Sequence, residues 1–246
     1  MMNATPELLS RASATPVRTL STGQGPDMVA DLWDPIGDPL GTVVLLHGGF
    51  WRAHIDRQHL SHMAKALAED GWQAISLEYP RAAGDPDLTH QSVKSALTEL
   101  LQTTHLTAAP TVLLGHSAGG QLALWAASTH QFEFTSLIAL APVTSLQQAE
   151  ELGLGEGAVL SFLGRSAATR PDLDPEHLLT PTTPTLLIHG GQDSRVPIAM
   201  SRNYAQDRPD VSLHSIEGAD HFDLIDPQSI HWPAVREALR QARLSQ

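Results

Sequence analysis

The sequence predicts an α/β protein with a mostly parallel central sheet, an antiparallel N-terminal edge, helices on both faces and a short cap insertion. Three observations predict it. Short runs rich in Val, Ile and Leu alternate with helix-period segments from residue 42 onwards, the pattern of parallel strands joined by crossover helices. The run at 42–46, TVVLL, has no polar alternation, as expected of a strand buried on both faces. Ahead of it, residues 16–33 carry VRTL and MVADLW on either side of the turn-rich STGQGPD, which reads as a hairpin.

The elements follow in order. After the strand at 42–46, Leu60, Met63, Ala64 and Leu67 recur at helical spacing within 56–70, and Gly71 ends that helix. A strand at 73–77, a helix at 88–101 and a strand at 111–114 come next, then a helix at 118–129 and a short apolar strand at 136–140. Strand, helix and strand resume at 184–188, 198–207 and 211–216, and the last helix spans 232–244. Residues 143–182 break the alternation, because weak helical signals there are interrupted by Gly153, Gly155, Gly157, Gly164, Pro171 and Pro175. A long irregular insertion in a compact domain is usually functional, and a cap over a site is its expected role. No repeat, low-complexity tract or composition break divides the chain, so a single domain spanning 1–246 is expected.

Composition narrows the partners. There are 15 Lys plus Arg against 27 Asp plus Glu, a net charge of −12 at pH 7. Without a basic face to neutralise phosphates, nucleic acid is excluded, and anionic membrane surfaces are disfavoured for the same reason. No segment approaches the roughly 20 apolar residues of a membrane span, and no signal-peptide core opens the chain. A cytoplasmic protein is therefore expected. The absence of cysteine rules out disulfides, thiolate metal sites and a Cys nucleophile. A homodimer is admitted beside a monomer.

The chemistry-bearing residues begin at 115–120, GHSAGG, which closes one predicted strand and opens a helix. This places Ser117 in G-x-S-x-G, a tight strand-to-helix turn in which Gly115 and Gly119 remove colliding side chains and leave the hydroxyl at the tip. A hydroxyl needs a base, and the base an orienting acid. Both are expected downstream on loops after later strands. Asp193 follows the strand at 184–188, and His221 follows the strand at 211–216. Asp220, Asp223 and Asp226 are rival acids whose ordinary role is loop structure and capping. The first parallel strand ends in HGGFW at 47–51. Its loop and the turn after Ser117 would supply backbone donors for an oxyanion: Ala118, with Gly49 or Phe50. His47 is read as a structural residue.

On these residues the chain resembles the α/β-hydrolases. HGGFW at 47–51 with GHSAGG at 115–120 resembles the esterase branch related to hormone-sensitive lipase, and within it the kynurenine formamidase (arylformamidase) type, whose motif is HGG, one variable residue, then Trp. LEYPR at 77–81, QDSRVP at 192–197 and GADHFDLIDP at 218–227 are similar to bacterial esterase/lipase-like hydrolases of that group. Phe50 departs from the three-glycine HGGG of many such relatives. The resemblance implies hydrolysis of a small-molecule ester or small amide through Ser117, His221 and Asp193 and an acyl-enzyme, without metal or organic cofactor.

Substrate-contact candidates are Trp51, Phe162 and Glu78, the last equally readable as half of a structural ion pair with Arg81. Trp125 reads as core. His54, His59 and His62 invite a metal, but no H-E-x-x-H signature accompanies them and a solvated helix face is expected. Two alternatives stand beside the esterase/formamidase reading. One is a prolyl-oligopeptidase-like hydrolase of small peptides, since the chain has no room for a gating propeller. The other is a catalytically silent ligand-binding scaffold, although such proteins usually lack a member of the triad.

Overall fold

The computed structural model describes residues 7–102, 106 and 110–244. A short helix α1 (Glu7–Ser10) precedes the hairpin β1 (Arg18–Ser21) and β2 (Val29–Trp33). There follow β3 (Gly41–Leu46), α2 (Ser61–Glu69), β4 (Trp72–Leu77), α3 (Pro86–Gln102), β5 (Thr111–His116), α4 (Ala118–Ser128) and β6 (Ser136–Leu140). The insertion holds α5 (Leu146–Glu151), α6 (Leu154–Leu163) and two single 3₁₀ turns; β7 (Thr185–Gly190), α7 (Ile198–Gln206), β8 (Val211–Ile216) and α8 (Trp232–Leu244) complete the chain.

The eight strands form one sheet in the order β1-β2-β4-β3-β5-β6-β7-β8. β1 pairs antiparallel with β2, and β2 antiparallel with β4, with Ala30 opposite Leu77. All remaining pairs are parallel. The run at 42–46 behaves as its composition dictates. Val43 and Leu45 enter a core with Met63, Leu67 and Leu239, while Val44 and Leu46 enter the core on the opposite face with Val93, Leu97 and Leu122. Burial of both faces is what lets a strand dispense with polar alternation.

Boundaries differ where a side chain competes with the helix. The helix expected over 56–70 begins instead as a 3₁₀ turn at Arg57–Leu60, because the Asp56 carboxylate accepts the Gln58 N–H at 2.9 Å. α3 starts two residues early. Asp85 accepts the Leu88 N–H at 3.1 Å, and Pro86, with no N–H to lose, takes the first helical position.

The insertion is more ordered than its glycines imply. Gly155, Glu156 and Gly157 all take positive φ, making a left-handed turn inside α6 that only a glycine-rich run tolerates cheaply. Val143, Leu146, Phe162 and Leu163 then form a third core with Trp51, Ala118, Val196 and Met200. The insertion is thereby packed onto the end of the sheet where β3, β5 and β7 deliver their loops. Among the described residues no helix is long and apolar enough to cross a membrane.

Candidate active site

β5 and α4 meet at Ser117, whose backbone is held at φ 57° and ψ −119°. Positive φ is costly for a residue with a Cβ and persists where the surroundings enforce it. The surroundings are backbone. A Cβ on Gly115 would lie 2.2 Å from the carbonyl oxygen of Gly119, and a Cβ on Gly119 would lie 2.1 Å from the carbonyl oxygen of Leu46. Gly115 thus permits the turn itself, while Gly119 permits α4 to abut β3. Gly119→Ala is expected to lower stability by about 3 kcal/mol or more, since backbone on both sides must move. In a chain of this length that is a fall in Tm of about 10 °C, readable by calorimetry; an unchanged Tm would refute the contact.

Asp193 lies on the loop after β7 with its side chain fully buried, and its Oδ2 accepts the Nδ1–H of His221 at 2.7 Å. Its Oδ1 accepts the N–H groups of Arg195 and Val196, each at 2.8 Å. Burial would raise this carboxyl. The bonds from His189 and His221, the charge of His221 and the Val196 amide outweigh burial and hold it well below the usual carboxylate range. His189 is itself fixed, its Nδ1 on Ser201 Oγ at 2.7 Å and its Nε2 on the Val196 carbonyl at 2.9 Å. The nearby acids serve the loop. Asp220 accepts the His221 N–H, Asp223 accepts the N–H of Asp220 and the hydroxyl of Ser229, and Asp226 pairs with Arg11.

Ser117 and His221 line one cavity of 140 Å³, together with Gly49, Phe50, Ile55, His59 and others. The loop that borders it is strained in sequence order, with positive φ at Gly49, Phe50 and Trp51. Its shape is set from beyond the cavity. Phe50 packs where a Cβ on Gly155 would stand, and Arg52 donates to the Gly155 carbonyl at 2.7 Å, so the left-handed turn of α6 presses on this loop. Among the described residues the N–H groups of Gly49, Phe50 and Ala118 have no acceptor within the protein.

Trp51, Phe162 and Glu78 are not among the residues lining this cavity. Trp51 stacks on Phe162 with ring centroids 4.8 Å apart and donates its Nε1–H to Gln121 at 3.2 Å. Glu78 lies in a buried ion network with Arg81, Arg57 and His47. Burial raises its carboxyl, but hydrogen bonding and charge from His47 and Arg81 outweigh that and bring it down to about 2. The same network anchors the strained loop: Tyr79 donates its hydroxyl to the His47 carbonyl at 2.5 Å, and the rings of Tyr79 and His47 stack at 4.4 Å.

The solvated face expected for His54, His59 and His62 holds for His54 alone, since His59 turns inward. Its Nε2 reaches His116 Nδ1 at 3.4 Å, and His116 Nε2 in turn bonds the carbonyl of His221 at 3.1 Å. Burial drives the His59 imidazole down to about 3 and His116 well below the ordinary histidine value, so both are neutral. The carbonyl end fixes the tautomers: each ring carries its proton on Nε2 and donates along the chain. Sequence reasoning missed this brace. Only the position of His116 beside Ser117 hinted at it, and nothing local marks His59.

A mostly parallel sheet with an antiparallel edge, a serine on a strained strand-to-helix turn, and a His–Asp pair from the last two strand loops define an α/β-hydrolase of the serine-hydrolase class. Residues 89–235 match the prolyl oligopeptidase family, and the chain belongs to it. The monoacylglycerol lipase of Mycolicibacterium smegmatis is 25% identical over 256 residues, covering 83% of this chain and 89% of the relative. Among solved structures, esterase B from Lactobacillus rhamnosis superposes with a TM-score of 0.75 at 21% identity, covering 95% of this chain and 88% of that one. Esterase 2 of Thermogutta terrifontis gives 0.68 at 18% identity, with 91% and 90% covered.

Proposed function

We propose that the protein is a carboxylesterase-type hydrolase of small esters, with Ser117 as nucleophile, His221 as general base and acid, and Asp193 as the orienting carboxylate. The observation that carries this reading is the 2.7 Å bond from His221 Nδ1 to a buried Asp193, with His221 and Ser117 on one small cavity. In the first half-reaction Ser117 Oγ attacks the carbonyl carbon while its proton passes to His221 Nε2. The oxyanion is held by the N–H of Ala118 and that of Gly49 or Phe50, each such donor contributing about 3 kcal/mol to the transition state. Collapse breaks the ester bond and the departing alcohol takes the proton from His221. Water then repeats the sequence on the acyl-enzyme, releasing the acid and restoring Ser117. None of these steps calls for a metal or organic cofactor.

Ester is favoured over aryl formamide by the placement of Trp51 and Phe162, although Phe50 and Phe222 do line the cavity. Trp51 and Phe162, which would have offered a stacking surface to an aryl group, are consumed by each other and by Gln121. The lipase and esterase names of the relatives above point the same way. The expected result is a kcat/KM for p-nitrophenyl acetate or butyrate well above that for N-formylkynurenine or an alanyl p-nitroanilide. A preference for the formamide or the anilide would replace this reading by an amidase or a peptidase of small peptides.

A further inference from the structure

The segment before β1 runs back across the molecule to the catalytic cavity. It is fixed there at four points. Leu8 is buried in the core that also holds Leu224 and Ile225. Arg11 pairs with Asp226, on the same loop as His221; the Ala14 N–H reaches Ser61 Oγ at 3.1 Å, and the Thr15 carbonyl accepts Trp33 Nε1–H at 3.1 Å. With Leu8 turned into the core, the adjacent Leu9 is left 40% exposed, and it lines the 140 Å³ cavity that holds Ser117 and His221.

Leu9 also lines a second cavity, of 310 Å³, which has Arg11 and His62 on its wall. The two cavities share Leu9, His54, Ile55 and His59. An apolar side chain that borders two adjoining spaces, on a backbone held at both ends, is a partition. The first space, at 140 Å³, is less than half the 310 Å³ of the second, so it suits the shorter chain.

We infer that Leu9, backed by Ile55, ends the substrate pocket and makes the enzyme selective for esters whose hydrocarbon chain next to the scissile carbonyl is short, and that the space beneath the N-terminal segment is the continuation of the same pocket beyond Leu9. This rests on the reading of Ser117 as nucleophile given above. Leu9→Ala joins the two spaces, and each further methylene then buried raises kcat/KM about fourfold. Leu9→Trp fills the partition and shortens the pocket.

The test compares the octanoate-to-acetate ratio of kcat/KM for the full-length parent, Leu9→Ala and Leu9→Trp on p-nitrophenyl acyl esters. A matching series of acetates with lengthening alcohols covers the other side of the ester. Val17→Ala, on the same segment and lining neither cavity, is the control and keeps the parent ratio. A ratio raised at least tenfold in Leu9→Ala and lowered in Leu9→Trp, in either series, supports the partition. The same chain-length profile in all three proteins, with ester hydrolysis intact, overturns it alone. A parent inert on every ester overturns the nucleophile assignment and the partition together.

Discussion

Ser117→Ala is expected to lower kcat for p-nitrophenyl acetate by a factor on the order of 10⁴ to 10⁶, because among the described residues lining the cavity no other side chain carries a hydroxyl. The fold should survive: Ala occupies less space than Ser, and the φ of 57° is imposed by the turn, not by the hydroxyl. A fluorophosphonate probe should label the parent and leave Ser117→Ala unlabelled. The same loss in His221→Ala would separate a working base from a silent scaffold. Asp193→Asn is the finer test. It keeps the shape, but the Arg195 and Val196 N–H groups hold its amide oxygen and leave the NH2 facing His221 Nδ1, so the imidazole takes the wrong tautomer and kcat falls by about 10⁴. Turnover near that of the parent in Ser117→Ala would remove Ser117 as nucleophile.

Acid should unfold the protein steeply, beginning close to neutrality. His90 and His116 are buried and His59 is packed inward, and desolvation outweighs the carboxylates near them, Asp87 and Asp172 at His90 and Asp193 at His116. Desolvation lowers His59 to about 3, His90 to about 4 and His116 well below the ordinary value. The sign follows from these directions. Below about pH 6.5 the unfolded chain binds protons on all three rings that the native state refuses. The stability conferred by their neutral burial is complete above that pH and is lost as pH falls towards about 4. Three such groups give a slope of up to about 4 kcal/mol per pH unit, against a total of about 5–15 kcal/mol for a folded protein. Asp193 and Glu78, both depressed, add to the loss lower down, where they must be protonated. Urea midpoints at pH 7, 6 and 5 measure the slope. His90→Gln should reduce it by about 1.4 kcal/mol per pH unit whatever it does to stability at pH 7. Midpoints that do not move between pH 7 and 5 would sink this account.

Depressed titration of this kind is invisible in a sequence of 13 histidines. Only burial distinguishes His59 and His116 from the exposed His54, and burial belongs to the packed molecule. The cap illustrates the same divide. Its extent, 143–182, could be read from the run of glycines and prolines. That Gly155, Glu156 and Gly157 form a left-handed turn bearing on Phe50 could not, because neither partner carries a local mark of the other.

What the sequence determined by itself is the set of features written in neighbouring residues. The two-sided burial of 42–46, the hairpin edge, the glycine pattern around Ser117, and an Asp and a His each just after a strand are all of this kind. They are local because strand burial, turn sterics and capping act over a few residues. What only the tertiary structure decided is which distant groups meet. It set Trp51 on Phe162 and away from the cavity, tied Glu78 into an ion network, aligned His59 and His116 behind His221, and brought Leu9 from before the first strand to the wall of the cavity. The physical reason is that these contacts are selected by close packing between segments far apart in the chain, where fit is judged by volume and shape and leaves no period or spacing to read.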